Sequence, residues 1–274
     1  MKKTLASKAK LNAGVEIPWL GLGVWQSARG SETYDAVRAA LDAGYRHVDT
    51  AKIYGNERDV GRAIADSGVP RADVFVTTKL WNADHGYDAA IRACERSLDA
   101  LGTSYVDLYL IHWPQPERHE SWRALNALQR EGKCHAIGVS NFTIAHLRQL
   151  MDTSPVAPAV NQVEMHPFLY QKELEAFCRA HHIQLEAYSP LAHGKRLDHP
   201  GVGRVAKKHG KSAAQVLIRW CLEHEFVVIP KSVRKDRIVE NAGVFDFELD
   251  SDDMGALDGL NEDLRTCWDP TDVR

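Results

Sequence analysis

Short apolar runs recur along the chain at 20–23, 46–49, 74–79, 106–111, 136–139, 159–164, 183–189 and 226–229. Several are apolar without alternation, the pattern of strands buried on both faces. Between them, apolar residues return every three or four positions, as on one face of a helix. Ser31 precedes a predicted helix over 32–42 with Gly44 beyond it, 87–101 runs to Gly102, and 212–223 carries Ala213, Val216, Leu217 and Trp220. Serine suits a helix start because its oxygen accepts an orphan N–H, and glycine suits the end because it enters the left-handed region freely. Two further helices are predicted at 235–241 and 251–257. Strand and helix alternating eight times within about 250 residues predict an α/β fold, a (β/α)8 TIM barrel rather than an open sheet.

Ahead of the first barrel strand, residues 9–11 and 15–17 flank Asn12-Ala13-Gly14, which predicts a β-hairpin lying over one barrel end. The closing stretch 271–274 is mostly polar and reads as mobile unless it folds back. No repeat beyond the alternation and no Pro/Gly/Ser-rich linker divides the chain, so one domain over 1–274 is expected.

Composition narrows the function classes. With 274 residues, 44% of them apolar, the chain can bury a large core. Its net charge of -3 arises from interspersed signs, which argues against a nucleic-acid or membrane-surface partner. Met1-Lys2-Lys3 opens like a signal peptide, but Ser7, Lys8 and Lys10 interrupt the apolar stretch that export needs, so a cytoplasmic protein is expected. No run approaches the roughly 20 apolar residues of a membrane span. Five scattered cysteines without a C-x-x-C pair read as reduced thiols, and thirteen histidines without H-E-x-x-H give no metal site. A monomer acting on a small molecule is the expectation.

Barrels of this kind carry their chemistry at the C-terminal ends of the strands. Asp49, Lys79, His112, Ser140, Asn141, Gln162, Glu164, Ser189 and Lys231 all fall there, with Tyr54 shortly after Asp49. A tyrosine donates a proton at neutral pH only when its pKa falls from about 10, which a neighbouring cation favours. Lys79 can be that cation, and Asp49 can hold it charged in a dry pocket. Each residue alone has an ordinary role: Asp49 as a helix cap, Tyr54 as a rim aromatic, Lys79 as a solvated strand end, His112 as a core imidazole.

Together with their neighbours the residues say more. Asp49-Thr50-Ala51-Lys52-Ile53-Tyr54-Gly55-Asn56-Glu57, Thr78-Lys79-Leu80-Trp81 and Ile111-His112-Trp113-Pro114 resemble the aldo-keto reductases, and the resemblance runs nearly end to end. It implies hydride transfer from a nicotinamide to an aldehyde or ketone. Tyr54 would be the general acid, Lys79 would lower its pKa, Asp49 would pair with Lys79, and His112 would orient the carbonyl. The alternative is a non-catalytic nucleotide-binding or structural protein on the same barrel.

Gly201-Val202-Gly203-Arg204-Val205-Ala206 matches a dinucleotide fingerprint, but the polar segment before it supplies no strand. The turn Lys231-Ser232-Val233-Arg234, leading into Arg237, Glu240 and Asn241, sets cations beside a helix start. Such a turn suits phosphate or simple solvation. By the resemblance, Lys231, Ser232, Val233 and Arg237 hold the adenosine 2′-phosphate region, and Glu240 and Asn241 contact adenine, so the cofactor is NADPH. Ser140, Asn141 and Gln162 resemble the carboxamide ligands, Tyr188 the stacking ring, and Ser189 to Leu191 the pyrophosphate path.

Trp25, Trp81 and Trp113 follow strand runs and either wall an apolar substrate pocket or pack at the rim. The short segment 113–119 and the short tail beyond 257 resemble the small microbial members acting on 2,5-diketo-gluconate and methylglyoxal. Lys52 adds a charge that the family pattern does not demand; pointing inward, it would favour anionic substrates.

Overall fold

The computed structural model describes residues 3–273; Met1 and Lys2, the start of the basic opening, and Arg274, the end of the polar tail, lie outside the described residues. β1 (Lys8–Lys10) and β2 (Glu16–Pro18) form the antiparallel hairpin. Eight parallel strands follow: β3 (Leu22–Gly23), β4 (His47–Asp49), β5 (Phe75–Leu80), β6 (Val106–Ile111), β7 (Cys134–Ser140), β8 (Val160–Glu164), β9 (Gln184–Tyr188) and β10 (Val227–Val228). Each bonds to the next in chain order. Parallel bridges from Leu20 to Val228 and from Gly23 to Lys231 join first to last and close the barrel.

The helices between them are α1 (Ser31–Asp42), α2 (Glu57–Asp66), α3 (Tyr87–Leu101), α4 (Arg118–Arg130), α5 (Ile144–Asp152), α6 (Lys172–Ala180), α7 (Pro200–His209), α8 (Ala213–Glu223), α9 (Lys235–Ala242) and α10 (Ser251–Asp258). Ser212 caps α8 in a reciprocal pair with Gln215, which is how the orphan N–H groups of a helix start are satisfied. Ser31 behaves otherwise: it is the first helical residue of α1, and Gly30 precedes it at φ 86° without any side-chain cap. The Gly201-Val202-Gly203 stretch lies inside α7, after a turn rather than a strand.

Two apolar layers hold the fold. One lies between strands and helices. The other is a floor, in which Ala9, Leu11 and Ile17 of the hairpin segment meet Phe75, Leu108, Leu110, Ala136, Val160 and Val227 from the barrel. Ile17 is fully buried there, so cutting it back to alanine should cost about 2–5 kcal/mol. The hairpin thus closes one barrel end and leaves the chemistry to the other. The tail does fold back: His146 Nε2 lies 2.7 Å from the carbonyl oxygen of Val273.

Candidate active site

Asp49 ends β4, Lys79 is the penultimate residue of β5, and His112 directly follows β6. Tyr54 ends a single 3₁₀ turn, Lys52–Tyr54, just beyond β4. Register explains their meeting. Asp49 sits opposite Thr77, and Lys79, two residues on, shares the face of Thr77 and reaches the same space.

The Lys79 ammonium bonds to Asp49 Oδ1 at 2.6 Å, to the Thr50 carbonyl at 2.9 Å and to the Tyr54 hydroxyl at 3.4 Å. An ammonium has three protons, so this set satisfies it completely. The pair is dry, with side-chain exposures of 0% for Lys79 and 3% for Asp49. Burial raises the Asp49 carboxyl above its ordinary value, opposed by the charge and hydrogen bond of Lys79.

Tyr54 departs from the sequence expectation. Burial, and after it the charge of Asp49, hold its phenol well above the ordinary value. The resting phenol therefore keeps the proton that a general acid must give. His112 lies edge-on to Tyr54, ring centroids 5.8 Å apart, and edge-on to Trp81 at 5.3 Å. Burial, reinforced by Lys79, pulls its imidazole well below the usual range, so the neutral ring can offer an N–H to an oxygen.

Behind these residues stands a layer in which the sequence reading gave a role to Gln162 alone. Gln162 donates to Asp49 Oδ2 at 2.8 Å and to Glu186 Oε2 at 2.9 Å. Burial, then the charge of Asp49, push Glu186 up to about 8. His47 Nε2 lies 3.6 Å from Glu186 Oε1, yet burial lowers its imidazole to about 3. Both groups are thus largely uncharged at neutral pH, and Lys79 with Asp49 remains the charged pair. Glu186 was visible in the sequence as a lone acid between Leu185 and Ala187 in a strand run.

A cavity of about 950 Å³ opens over Asp49, Tyr54 and His112, with Lys79 behind Tyr54. Trp25, Trp81 and Trp113 wall the end beside Tyr54 and His112. Ser140, Asn141, Gln162, Tyr188, Ser189 and Leu191 line its middle, and Lys231, Ser232, Val233, Arg237, Glu240 and Asn241 the far end. Ile53, His193, Thr266, Cys267 and Trp268 also line it and were not anticipated, and Arg234 of the cationic turn lines it too. Lys52 is absent from the described wall, so its charge does not enter as the inward orientation would require.

The middle of the cavity is internally tied. Asn141 accepts from the Tyr188 hydroxyl at 2.8 Å and donates to the His112 carbonyl at 3.0 Å, while Ser140 donates to the Gln162 carbonyl at 2.9 Å. Both amide hydrogens of Gln162 go to the carboxyl oxygens of Asp49 and Glu186, so this side chain can meet a ligand only through its oxygen. Gln26, Asn141, Ser189 and His193 hold left-handed backbone, with φ of 58°, 63°, 48° and 54°. Such strain collects where a site over-determines the chain.

The far end suits a phosphorylated cofactor. Among the described residues, neither Lys231 nor Arg237 has a carboxylate partner within ion-pair distance, and the first turn of α9 carries no side-chain cap. Cations without an ion-pair partner beside a helix start favour an anion. At the opposite end a strap folds over the cavity. Glu164, at the end of β8, accepts from Thr266 N at 2.8 Å, Thr266 Oγ1 and Cys267 N at 3.1 Å. This carries Trp268 to the mouth, its ring 5.7 Å from Trp113.

A sequence profile of the aldo/keto reductase family matches residues 19–262. The chain is 49% identical to a glyoxal reductase of Bacillus subtilis over 100% of its own length and 99% of that protein. An aldo/keto reductase crystal structure from Brucella melitensis superposes with a TM-score of 0.90 at 51% identity, covering 93% of this chain and 99% of that one. A variant of Gox0644 crystallised with NADPH superposes with a TM-score of 0.93 at 42% identity, covering 98% of each chain.

Proposed function

The chain belongs to the aldo/keto reductase family, and from that premise we propose that it reduces aldehydes or ketones to alcohols with NADPH at the site built by Asp49, Tyr54, Lys79 and His112. The observation that carries this reading is the Lys79 ammonium, 2.6 Å from Asp49 and 3.4 Å from the Tyr54 hydroxyl, beneath the 950 Å³ cavity.

NADPH, when bound, supplies the hydride. Tyr54 gives its proton to the carbonyl oxygen as charge develops there. The phenolate left behind faces Lys79, whose positive charge stabilises it, and Asp49 holds that ammonium in place through the 2.6 Å ion pair. His112, held neutral by burial, directs an N–H at the same oxygen and fixes its approach. Ser140, Asn141, Gln162 and Tyr188 are assigned to the nicotinamide, Ser189 and Leu191 to the pyrophosphate, Lys231, Ser232, Val233 and Arg237 to the 2′-phosphate region, and Glu240 and Asn241 to adenine. Trp25, Trp81 and Trp113 are assigned to the substrate, a small carbonyl or dicarbonyl compound in keeping with the relative named glyoxal reductase.

The whole of 1–274 is read as one barrel domain, working as a cytoplasmic monomer without nucleic acid or membrane. Among the described residues no helix is long and apolar enough to cross a membrane, and the five cysteines are unpaired. Tyr54→Phe tests the central assignment. Removal of a general acid lowers turnover roughly 10²–10⁴-fold, while NADPH affinity, followed by fluorescence titration, stays near the parent value. Equal turnover in the variant would remove Tyr54 from the mechanism.

A further inference from the structure

Glu186 is fully buried inside the barrel and takes no part in moving the hydride or the proton. Strands β8 and β9 place Gln162 directly opposite it, so the two side chains stand on one face of the sheet and meet there. Gln162 Nε2 lies 2.9 Å from Glu186 Oε2 and 2.8 Å from Asp49 Oδ2. A charged carboxylate only accepts, so the atom facing Asp49 is the amide nitrogen, and its second hydrogen goes to Glu186.

The second bond fixes what the first leaves loose. Held by Asp49 alone, the amide could pivot about a single N–H···O line and its oxygen could swing; with Glu186 as a second acceptor the amide plane is set. The oxygen is thereby turned away from both carboxyls. Among the described residues no donor bonds to it, and Gln162 lines the cavity whereas Glu186 is absent from the described wall. Asn141 has no such freedom, because Tyr188 donates to its oxygen and its nitrogen serves the His112 carbonyl and Ser140 Oγ. The stretch assigned to the nicotinamide thus presents the Gln162 oxygen as an open acceptor. Burial, then the charge of Asp49, keep Glu186 largely uncharged at neutral pH, so it accepts from Gln162 without setting a second negative charge against Asp49.

We propose that Glu186 is a positioning residue for the cofactor: through Gln162 it holds an amide oxygen toward the cavity, where that oxygen accepts from the N–H2 of the nicotinamide carboxamide. The inference rests on the reductase reading and adds to it a residue that touches neither cofactor nor substrate.

The test separates the nicotinamide from the rest of the cofactor. Dissociation constants are measured by calorimetry for NADP+ and for 2′-phosphoadenosine diphosphoribose, which keeps the phosphates and adenine and lacks the nicotinamide. Glu186→Leu, without an acceptor, should weaken NADP+ about five-fold or more, the loss of roughly one hydrogen bond, and leave the truncated ligand within about two-fold of the parent. Glu186→Gln, which keeps an acceptor oxygen, should restore NADP+ binding. In a Gln162→Leu background, Glu186→Leu should have no further effect. If Glu186→Leu does not fold, Glu186→Ser, too short to reach Gln162, is read in the same way. Unchanged NADP+ affinity in Glu186→Leu, equal losses for the two ligands, an undiminished loss in Glu186→Gln, or a further loss in the Gln162→Leu background overturns the proposal, while turnover of methylglyoxal by the parent keeps carbonyl reduction intact. A parent that neither binds NADP+ nor turns over methylglyoxal would remove the reductase reading, and this inference with it.

Discussion

The Lys79 ammonium and the Asp49 carboxylate form a 2.6 Å ion pair that solvent scarcely reaches. Removing one partner of such a pair strands the other's charge, at a cost of about 3–5 kcal/mol. Lys79→Met should therefore lower stability in urea by about that amount and abolish most turnover. Adding Asp49→Asn to Lys79→Met should restore much of the stability and none of the activity. A double variant as unstable as the single one would show that the lost packing, rather than the stranded charge, dominates.

Glu186 gives the fold a pH dependence of known sign. Its folded pKa, about 8, lies above the 4.5 of an ordinary glutamate. Between those values the native state holds a proton that the unfolded chain has lost, so the contribution of this group to stability falls as pH rises. Glu186→Gln should flatten the decline in Tm measured from pH 5 to pH 8 and leave the variant more stable than the parent at pH 8. A Tm profile that keeps its slope in the variant would locate the dependence elsewhere.

The proposed preference for NADPH rests on Lys231, ahead of α9, and Arg237, within it. A charge-assisted hydrogen bond contributes about 1.5–3 kcal/mol, a factor of ten or more in affinity. Lys231→Ala and Arg237→Ala should each weaken NADPH binding by at least that factor and NADH binding by much less. The NADPH loss should shrink at high salt. Equal losses for the two cofactors, in titrations of the same variants, would take both cations away from the 2′-phosphate.

The strap depends on Glu164. Burial pushes its carboxyl up, but hydrogen bonds from His166, Thr266 and Cys267 outweigh burial and leave it below the ordinary value. Glu164→Ala removes the acceptor for two backbone N–H groups and a hydroxyl at once. Hydrogen exchange over 264–273 should quicken, trypsin should cut after Arg265, and KM for aromatic aldehydes should rise more than kcat falls. Unchanged exchange in that segment would mean that other contacts, such as His146 with Val273, suffice to hold it.

Much of this was legible from residue order because it is local. The apolar runs gave the eight strands, and residues at their ends had to face one rim, so Asp49, Lys79 and His112 could be placed together without coordinates. What escaped is set by contacts distant in sequence. Trp268 reaches the cavity because Glu164, about a hundred positions earlier, grips Thr266 and Cys267, and no period in the tail announces that grip. The resting state of Tyr54 escaped for another reason: a nearby lysine can be inferred from order, but the burial that opposes it cannot. Ser31 was misplaced by one residue, since the start of α1 is set by the positive φ of Gly30 rather than by a side-chain oxygen.

The hairpin floor has a kinetic consequence. With Ala9, Leu11 and Ile17 stoppering one end of the barrel, cofactor and substrate share a single doorway at the other. The groups assigned to the nicotinamide, Ser140, Asn141 and Gln162, are buried, whereas Trp25 and Trp268 stand out toward solvent. On those proposed assignments the deeper guest is expected to arrive first and depart last, so that turnover runs as a queue in which the alcohol clears the threshold before the spent cofactor follows.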